Sequence, residues 1–173
     1  SFGNLVTDYD ALQASVASFA ASCANKLRGQ HSLTSAVTVF VSSNRFREDL
    51  TQYSNGQTRI LPMPTSDTIE ITQAALSVLK EIYREGISYK KTGVILGDIT
   101  DASYIQQNLF DEVKNRPERM QLMKSIDALN HRFGLRKIHL AVEGEEKQAW
   151  HAKSEFRSGN YLSDLREILT IRI

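Results

Sequence analysis

The stretch Ser35-Ala36-Val37-Thr38-Val39-Phe40-Val41 decides the fold, because it is rich in β-branched residues and alternates in character. Successive side chains of a β-strand point to opposite faces of the sheet. Val37, Val39 and Val41 therefore share one face, and Thr38 and Phe40 share the other. The pattern predicts a strand with one apolar face.

An amphipathic helix is predicted on the N-terminal side of that strand, over residues 8–28. Thr7 and Asp10 fit a capping arrangement at its start, and Gly29 follows its end. Its apolar residues recur at helical spacing on one face: Leu12, Val16, Phe19, Ala20, Cys23 and Leu27. Because free cysteines favour burial, Cys23 is interpreted as a core residue.

A second amphipathic helix is predicted from the capping box of Asp67 and Glu70 through Tyr83, with Gly86 ending it. Its apolar face consists of Ile71, Ala75, Val78, Leu79 and Ile82.

Three further strands are predicted: a short extended segment over residues 1–6, a strand over residues 58–63 and one over residues 89–96. Asn55-Gly56 is a turn signal in the polar loop before residue 58, and Pro62 and Pro64 indicate an edge strand. The order strand-helix-strand-strand-helix-strand predicts an α+β fold. Two helices would cover one face of a four-stranded, mostly antiparallel sheet and leave the other face to solvent or a partner.

A small helix-plus-strand segment is predicted after Asn115. Pro117 suits the first turn of a third helix, and Gly134 ends it. The apolar face of this helix is Met120, Met123, Ile126 and either Leu129 or Asn130. Residues 138–142 are predicted as a strand, and the alternation of Leu169, Ile171 and Ile173 indicates a last one. Trp150 and Tyr161 are the largest anchors between them, and these aromatics either pack onto the preceding domain or bind a partner.

The totals limit the classes of protein that this chain can be. Its 173 residues suffice for one or two small domains, no apolar run approaches a membrane span, and a single cysteine excludes an internal disulfide framework and suits a reducing cytoplasm. No signal peptide is present and the chain begins without Met, so we interpret it as a fragment of a longer protein. A net charge of +1 argues against a globally basic nucleic-acid binder, so any such contact must come from a local patch.

No catalytic or metal site is predicted. The acidic clusters Glu48-Asp49, Asp111-Glu112 and Glu143 with Glu145-Glu146 lie in polar stretches and are interpreted as solvated. The four histidines lack metal-ligand spacing, and the nine glycines form neither a phosphate loop nor a dinucleotide fingerprint. This chain alone is therefore not expected to be an enzyme.

Five cations on the open sheet face and at the strand ends form a candidate local nucleic-acid-binding patch: Arg45, Arg47, Arg59, Lys90 and Lys91. Phosphate contacts of this kind carry little sequence information. A scattered, solvated surface is the alternative interpretation, since Glu48 and Asp49 lie close by in the sequence.

The pentapeptide Gln106-Gln107-Asn108-Leu109-Phe110 ends a polar linker in two large apolar side chains. Those side chains either pack back onto their own domain or bind a partner. The pentapeptide resembles the sliding-clamp-binding motif of bacterial polymerases, whose usual form is Gln-Leu-x-Leu-Phe. Gln107 stands where that form has leucine.

A broader resemblance covers residues 1–110 and continues beyond them. It is carried by motifs in matching order: Ser1-Phe2-Gly3, Lys26-Leu27-Arg28, Leu61-Pro62-x-Pro64-Thr65-x-Asp67, Tyr89-Lys90-Lys91-x-Gly93-Val94 and Leu129-Asn130-His131-Arg132-Phe133-Gly134. Together they resemble the little-finger domain and C-terminal segment of UmuC-type Y-family translesion DNA polymerases, the catalytic subunits of DNA polymerase V. Ser158-Gly159-Asn160-Tyr161 departs from the Ser-Pro that family members carry before this tyrosine.

The resemblance implies three parts: a little finger at residues 1–98 that lays its sheet along the primer–template duplex, a linker with the clamp motif at 99–114, and a C-terminal segment at 115–173. It implies the SOS response as setting, and the sliding clamp, a UmuD-type accessory dimer and a RecA filament as partners. The polymerase core, with its carboxylates and Mg²⁺, would precede Ser1. The alternative is a stand-alone α+β interaction module without a DNA role, and a palm with paired acids encoded upstream would decide between them.

Overall fold

A computed structural model describes residues 1–103, 115–134, 136–144, 150–151 and 159 of the chain. In chain order its elements are helix α1 (Tyr9–Gly29), strands β1 (Ser32–Ser43) and β2 (Ser54–Thr65), helix α2 (Thr68–Ile82), strand β3 (Tyr89–Asp101) and helix α3 (Arg116–Phe133), followed by a 3₁₀ turn at Ala141–Glu143. The predicted tyrosine anchor Tyr161 and the predicted last strand lie outside the described residues.

The sheet has three antiparallel strands in the order β2-β1-β3, so the α+β class is confirmed while a fourth strand is not found among the described residues. The predicted strand over residues 1–6 is reduced to a bridge between Val6 and Tyr89. Their backbone groups exchange two hydrogen bonds of 2.9 and 2.8 Å, and Phe2 N–H donates to the Lys90 carbonyl at 2.9 Å. These backbone hydrogen bonds hold the segment along the edge of β3 at a single bridge and do not make it a strand of the sheet.

The core lies between the sheet and helices α1 and α2. Val37, Val39 and Val41 are fully buried on the helix-facing side of β1, as the alternation predicts. The predicted apolar face of α2 is buried, together with Thr68 and Thr72. On α1, Phe19 and Cys23 are only half-buried. Burial nevertheless raises the pKa of the Cys23 thiol, as expected for a thiol partly removed from water.

Strand β2 is an edge strand, which accommodates Pro62 and Pro64 as predicted. The prediction of a turn at Asn55-Gly56 is wrong, because both residues pair within the sheet, opposite Val41 and Phe40. A longer connection over residues 44–53 joins β1 to β2 instead. Gly56 suits its place in the strand because an added Cβ would lie 3.1 Å from the Phe40 Cβ.

The two helix starts differ in how well the sequence predicts them. At α2 the Asp67 carboxylate caps the helix, accepting hydrogen bonds from the N–H groups of Ile69 at 2.7 Å and Glu70 at 3.3 Å. At α1 the cap is Asp8, which accepts from Ala11 N–H at 2.9 Å, so the arrangement predicted from Thr7 and Asp10 is wrong. An Asp three residues before a free N–H is sufficient for capping, and Asp8 meets that geometry.

Helix α3 has Pro117 in its first turn and Gly134 at its end with φ 111°, both as predicted. Only Met123 of its predicted apolar face is buried, and Met120 and Leu129 are exposed. The strand predicted over residues 138–142 is wrong: bends lead there into the 3₁₀ turn. The Glu143 carboxylate accepts from Leu140 N–H at 3.0 Å, which occupies a donor that a strand ladder would need.

Among the described residues, three arginine–carboxylate pairs attach α3 to the remainder of the fold. Arg28 of α1 donates to Asp127 through Nε at 2.6 Å and Nη2 at 2.8 Å. Arg119 Nε donates to Asp67 at 2.7 Å, and Arg116 Nη1 lies 3.2 Å from Glu70. Because each pair links α3 to α1 or to the start of α2, the helix is fixed against the face of the domain that carries those two elements.

Trp150 packs into the same core. It is 5% exposed, and its ring meets Phe19 of α1 edge-on at 5.6 Å between ring centroids. Gly3 N–H donates to the neighbouring His151 carbonyl at 3.1 Å. Of the two alternatives for this tryptophan, packing onto its own domain or binding a partner, the structure shows the first. Within the described ranges, no helix is long and apolar enough to cross a membrane.

Candidate nucleic-acid interface

The sheet face opposite the helices, here called the open face, carries hydroxylated side chains, glycines and two exposed isoleucines, Ile60 and Ile95. On β1 it carries Thr38, Phe40 and Ser42, whose partners on the outer strands are paired in register. The hydroxyls of Thr38 and Thr58 are hydrogen-bonded at 2.7 Å. Phe40 lies between two glycines, Gly56 and Gly93, so no neighbouring Cβ on either strand flanks its ring.

Three of the five predicted DNA-binding cations converge where β1 ends and β3 begins. Arg45, Lys90 and Lys91 line one groove there, named here the cationic groove, together with Ser42, Gln52 and Ser54 among others. Among the residues that the structure describes, no carboxylate lines it. Lys91 Nζ lies 5.3 Å from the Phe40 ring centroid, and Lys90 Nζ donates to the Phe2 carbonyl at 2.6 Å. The groove is therefore a local positive site at one end of a nearly uncharged face.

Arg47 and Arg59 are not part of this group. Arg47 binds Asp49 within its own loop through Nε at 2.7 Å, and that hydrogen bond lowers the pKa of the Asp49 carboxyl. Arg59 pairs in register with Val37, which places it on the helix-facing side of β2, where it forms an ion pair with Glu81 of α2. Both arginines already have a carboxylate partner, so they offer less free charge to a phosphate.

The 44–52 loop beside the groove carries two residues that the sequence analysis did not single out. Phe46 is 80% exposed, and the Arg45 guanidinium lies 4.9 Å from its ring centroid. The side-chain amide of Gln52 donates to backbone carbonyl groups of this loop. The run Arg45-Phe46-Arg47 could have indicated Phe46, because an aromatic side chain between two cations in a polar loop is not expected to be buried.

The clamp-motif residues Gln106, Gln107, Asn108, Leu109 and Phe110 lie outside the described residues. The strand before them, β3, runs to Asp101, five residues beyond the predicted strand end. There the Ser103 hydroxyl and N–H both donate to the Asp101 carboxylate, at 2.6 and 2.8 Å, and lower its pKa.

A second concave site lies between α1, α3 and residues 136–144, with a volume of about 150 Å³. Its lining includes Asn25 and Arg28 of α1, Asp127 of α3, and Arg136 and Glu143 from residues 136–144. Glu143 is only 2% exposed, which corrects its interpretation as a solvated acid: Arg136 Nη2 lies 3.5 Å from it. Across the described part of the chain, no group of three or more His, Cys, Asp or Glu side chains is placed to hold a metal ion.

Comparison with known proteins assigns both parts of the chain. Residues 1–109 match the impB/mucB/samB family C-terminal domain, and residues 120–171 match a domain of unknown function, DUF4113. The chain is 38% identical over its whole length to protein ImpB of Salmonella typhimurium and 36% identical over 99% of its length to protein UmuC of the same species. Protein SamB, also of Salmonella typhimurium, is 37% identical over 97% of the chain.

The chain therefore belongs to the impB/mucB/samB family, with its first 109 residues forming the domain that the family model describes. The resemblance to UmuC-type proteins expected from the sequence motifs is confirmed. The chain spans about 40% of the length of the relatives that it matches.

Proposed function

We propose that this chain is the DNA-gripping and partner-docking part of a UmuC-type translesion DNA polymerase subunit that acts in the cytoplasm during the SOS response. Residues 1–98 would be the little finger, 99–114 a linker with the clamp motif and 115–173 the docking segment. Nucleotidyl transfer would reside in a preceding core that holds Mg²⁺. Membership in the family of UmuC and ImpB supports this assignment.

The observation that carries the DNA role is the cationic groove. Arg45, Lys90 and Lys91 meet at one end of the open face, and the groove that they form has no carboxylate among its described lining residues. A duplex lying along the open face would place phosphates in the cationic groove. The hydroxyls of Thr38 and Thr58 on that face carry no charge, so they would not repel the DNA backbone. Contacts of this kind position a duplex without reading its sequence, which suits synthesis over damaged templates.

The test is a salt titration of duplex binding by fluorescence anisotropy. Three phosphate contacts predict that log affinity falls with log salt with a slope of about −3. Arg45→Ala with Lys91→Ala should bring the slope to about −1, because two contacts are removed. Lys90 is left unchanged because it also holds the Phe2 carbonyl.

Arg59→Ala is the matched control, since this arginine lies on the helix-facing side and should leave the slope unchanged. A flat salt dependence of the unsubstituted chain, or equal slopes for the double variant and the unsubstituted chain, would refute the groove as a DNA site.

We also propose that Gln106 to Phe110 binds the bacterial sliding clamp as an extended peptide, with Leu109 and Phe110 in an apolar pocket. Burying two such side chains contributes roughly 1.5–3 kcal/mol each, and ordering the linker offsets part of it. Binding at about micromolar strength is expected, strengthened when DNA is held at the same time. Titration of the clamp with the chain and with a Leu109→Ala, Phe110→Ala variant tests this, and equal affinities would show that the pentapeptide is not the contact.

The docking role of residues 115–173 toward a UmuD-type dimer or a RecA filament is supported by the outer side of α3. Leu122, Leu129 and Phe133 are exposed there on one stripe of a helix that the arginine pairs hold in place. Leu129→Ser with Phe133→Ser should abolish co-purification with the partner while sparing DNA binding. Retained co-purification with both candidates would remove α3 from the proposal.

A further inference from the structure

Phe46 is the least covered large apolar residue of the described chain, at 80% exposure. It lies at the rim of the cationic groove and is not needed for the phosphate contacts proposed above. The ring lies in water beside a charged groove, where a ligand can reach it.

The loop that carries Phe46 is braced rather than loose. Gln52 Nε2 lies within hydrogen-bonding distance of three carbonyl oxygens, those of Asn44 at 3.2 Å, Arg47 at 2.8 Å and Leu50 at 3.1 Å. Phe46 N–H itself donates to the Asn44 side chain at 3.1 Å. The ring is thus presented on a preorganised support, which lowers the entropy cost of binding to it.

The charges around the ring select the kind of ligand. The Arg45 guanidinium lies 4.9 Å from the Phe46 centroid, and Lys90 and Lys91 line the same groove. Arg47, on the other side of Phe46 in the sequence, is paired with Asp49. A single aromatic at the rim of a positive groove is the combination that single-stranded nucleic-acid sites use, with phosphates in the groove and a base on the ring.

We propose that Phe46 stacks on an unpaired DNA base whose neighbouring phosphates lie in the cationic groove. The inference rests on the proposed DNA role and specifies which part of the DNA meets this end of the sheet. In a duplex both faces of each base are already stacked, so the ring gains a partner only where a strand is unpaired. The structure thus assigns this end of the open face to a junction between duplex and single strand.

The experiment uses the full 173-residue chain and two DNA probes of equal length. One is a fully paired duplex, and the other has a single-stranded overhang with 2-aminopurine at successive positions from the junction. Stacking on Phe46 should quench 2-aminopurine at one of these positions. Phe46→Ala should abolish that quench and weaken overhang binding about tenfold, while affinity for the duplex and the salt slope stay unchanged.

Phe46→Trp should keep the quench, because an indole also stacks on a base. Phe133→Ala is the matched control: Phe133 is 59% exposed with the Arg132 guanidinium 5.1 Å from its ring centroid, but it lies on α3, away from the groove. This variant should bind both probes as the unsubstituted chain does.

Two results would overturn the inference while leaving the DNA role intact. If Phe46→Ala binds both probes normally, the ring serves a partner other than DNA. If it loses affinity equally for both probes, the ring contacts the duplex and not an unpaired base. Failure of the unsubstituted chain to bind either probe would instead refute the proposed function, and the inference with it.

Discussion

At the scale of single residues, Phe40 shows how glycines shape the open face. A Cβ added at Gly93 would lie 2.4 Å from the Phe40 Cζ and 2.5 Å from its Cε1, so the ring rests where a side chain would otherwise stand. At Gly97, four residues along β3, an added Cβ would meet only the Ala36 Cβ, at the ordinary distance of 3.5 Å. The Phe40 ring therefore covers Gly93, whereas the contact at Gly97 is with an alanine.

We predict that Gly97→Ala stabilises the chain by up to about 1 kcal/mol, because glycine loses more backbone freedom on folding than alanine does. In Gly93→Ala the same gain is offset by displacement of the Phe40 ring, which costs about 0.5–1.5 kcal/mol if the ring leaves its rotamer. The free energy of unfolding from urea denaturation should therefore be higher for the first variant by about 1 kcal/mol. Equal values would show that the ring moves aside freely.

At the scale of elements, Asp67 connects two helices. Its carboxylate caps α2 and also accepts from Arg119 of α3 at 2.7 Å. Burial alone would raise the pKa of Asp67, but the hydrogen bonds from Arg119 and from Ile69 N–H outweigh it and lower the pKa. One side chain thus fixes both where α2 begins and where α3 packs.

We predict that Asp67→Asn, which keeps the capping oxygen and loses the ion pair, destabilises the chain by about 1 kcal/mol. Asp67→Ala should cost roughly 1 kcal/mol more, because the helix cap is also removed. The midpoint of urea denaturation measures both. Asp49→Asn, which breaks an exposed pair inside one loop, is the control and should leave the midpoint unchanged. An Asp67→Asn variant as stable as the unsubstituted chain would show that the pair with Arg119 contributes nothing.

At the scale of the whole molecule, the C-terminal part is attached by ion pairs and by one tryptophan. Trp150 is the only tryptophan of the chain and is buried against Phe19 of α1, so its fluorescence reports whether that attachment holds. For Asp127, burial alone would raise the pKa, but hydrogen bonds from Arg28 and Asn25 lower it. Burial raises the pKa of Glu70, despite the nearby Arg116.

We predict a stable Trp150 emission maximum from pH 7 to 5 and a red shift as the pH falls through about 4, the ordinary value for Asp. Asp67 and Asp127 have lowered pKa values in the folded chain, so their contribution is present above that value and lost below it as they become protonated. The contribution of Glu70 to stability changes with pH in the opposite direction. Because its pKa is raised in the folded chain, its protonation favours the folded state and offsets part of the loss.

Asp127→Asn should make the red shift smaller, because one of the titrating groups is removed. Far-UV circular dichroism recorded on the same samples separates release of the segment from loss of the helices. An emission maximum that stays constant down to pH 3 would contradict the prediction and show that packing around Trp150 alone holds the segment.

The elements that depend on local spacing could be predicted along the chain. The alternation of Val37, Val39 and Val41 placed the central strand and its buried face, and Asp67 marked the start of α2. Periodicity and capping act within a few residues, so they can be read along the chain. The motifs shared with UmuC-type proteins likewise gave the family, which the comparisons confirm.

Contacts between distant residues depend on strand register and on packing, so they could not be predicted in the same way. Arg45 joins Lys90 and Lys91 because β1 and β3 pair, whereas register on the edge strand turns Arg59 toward the helices and leaves Ile60 64% exposed. That register shifts between Thr34 and Ala36, and no local pattern encodes such a shift. The sequence did not decide where Trp150 packs, because an aromatic side chain can be buried in a core or can bind a partner. Its position against Phe19 depends on how α3 and residues 136–144 pack on α1, which is a property of the assembled fold.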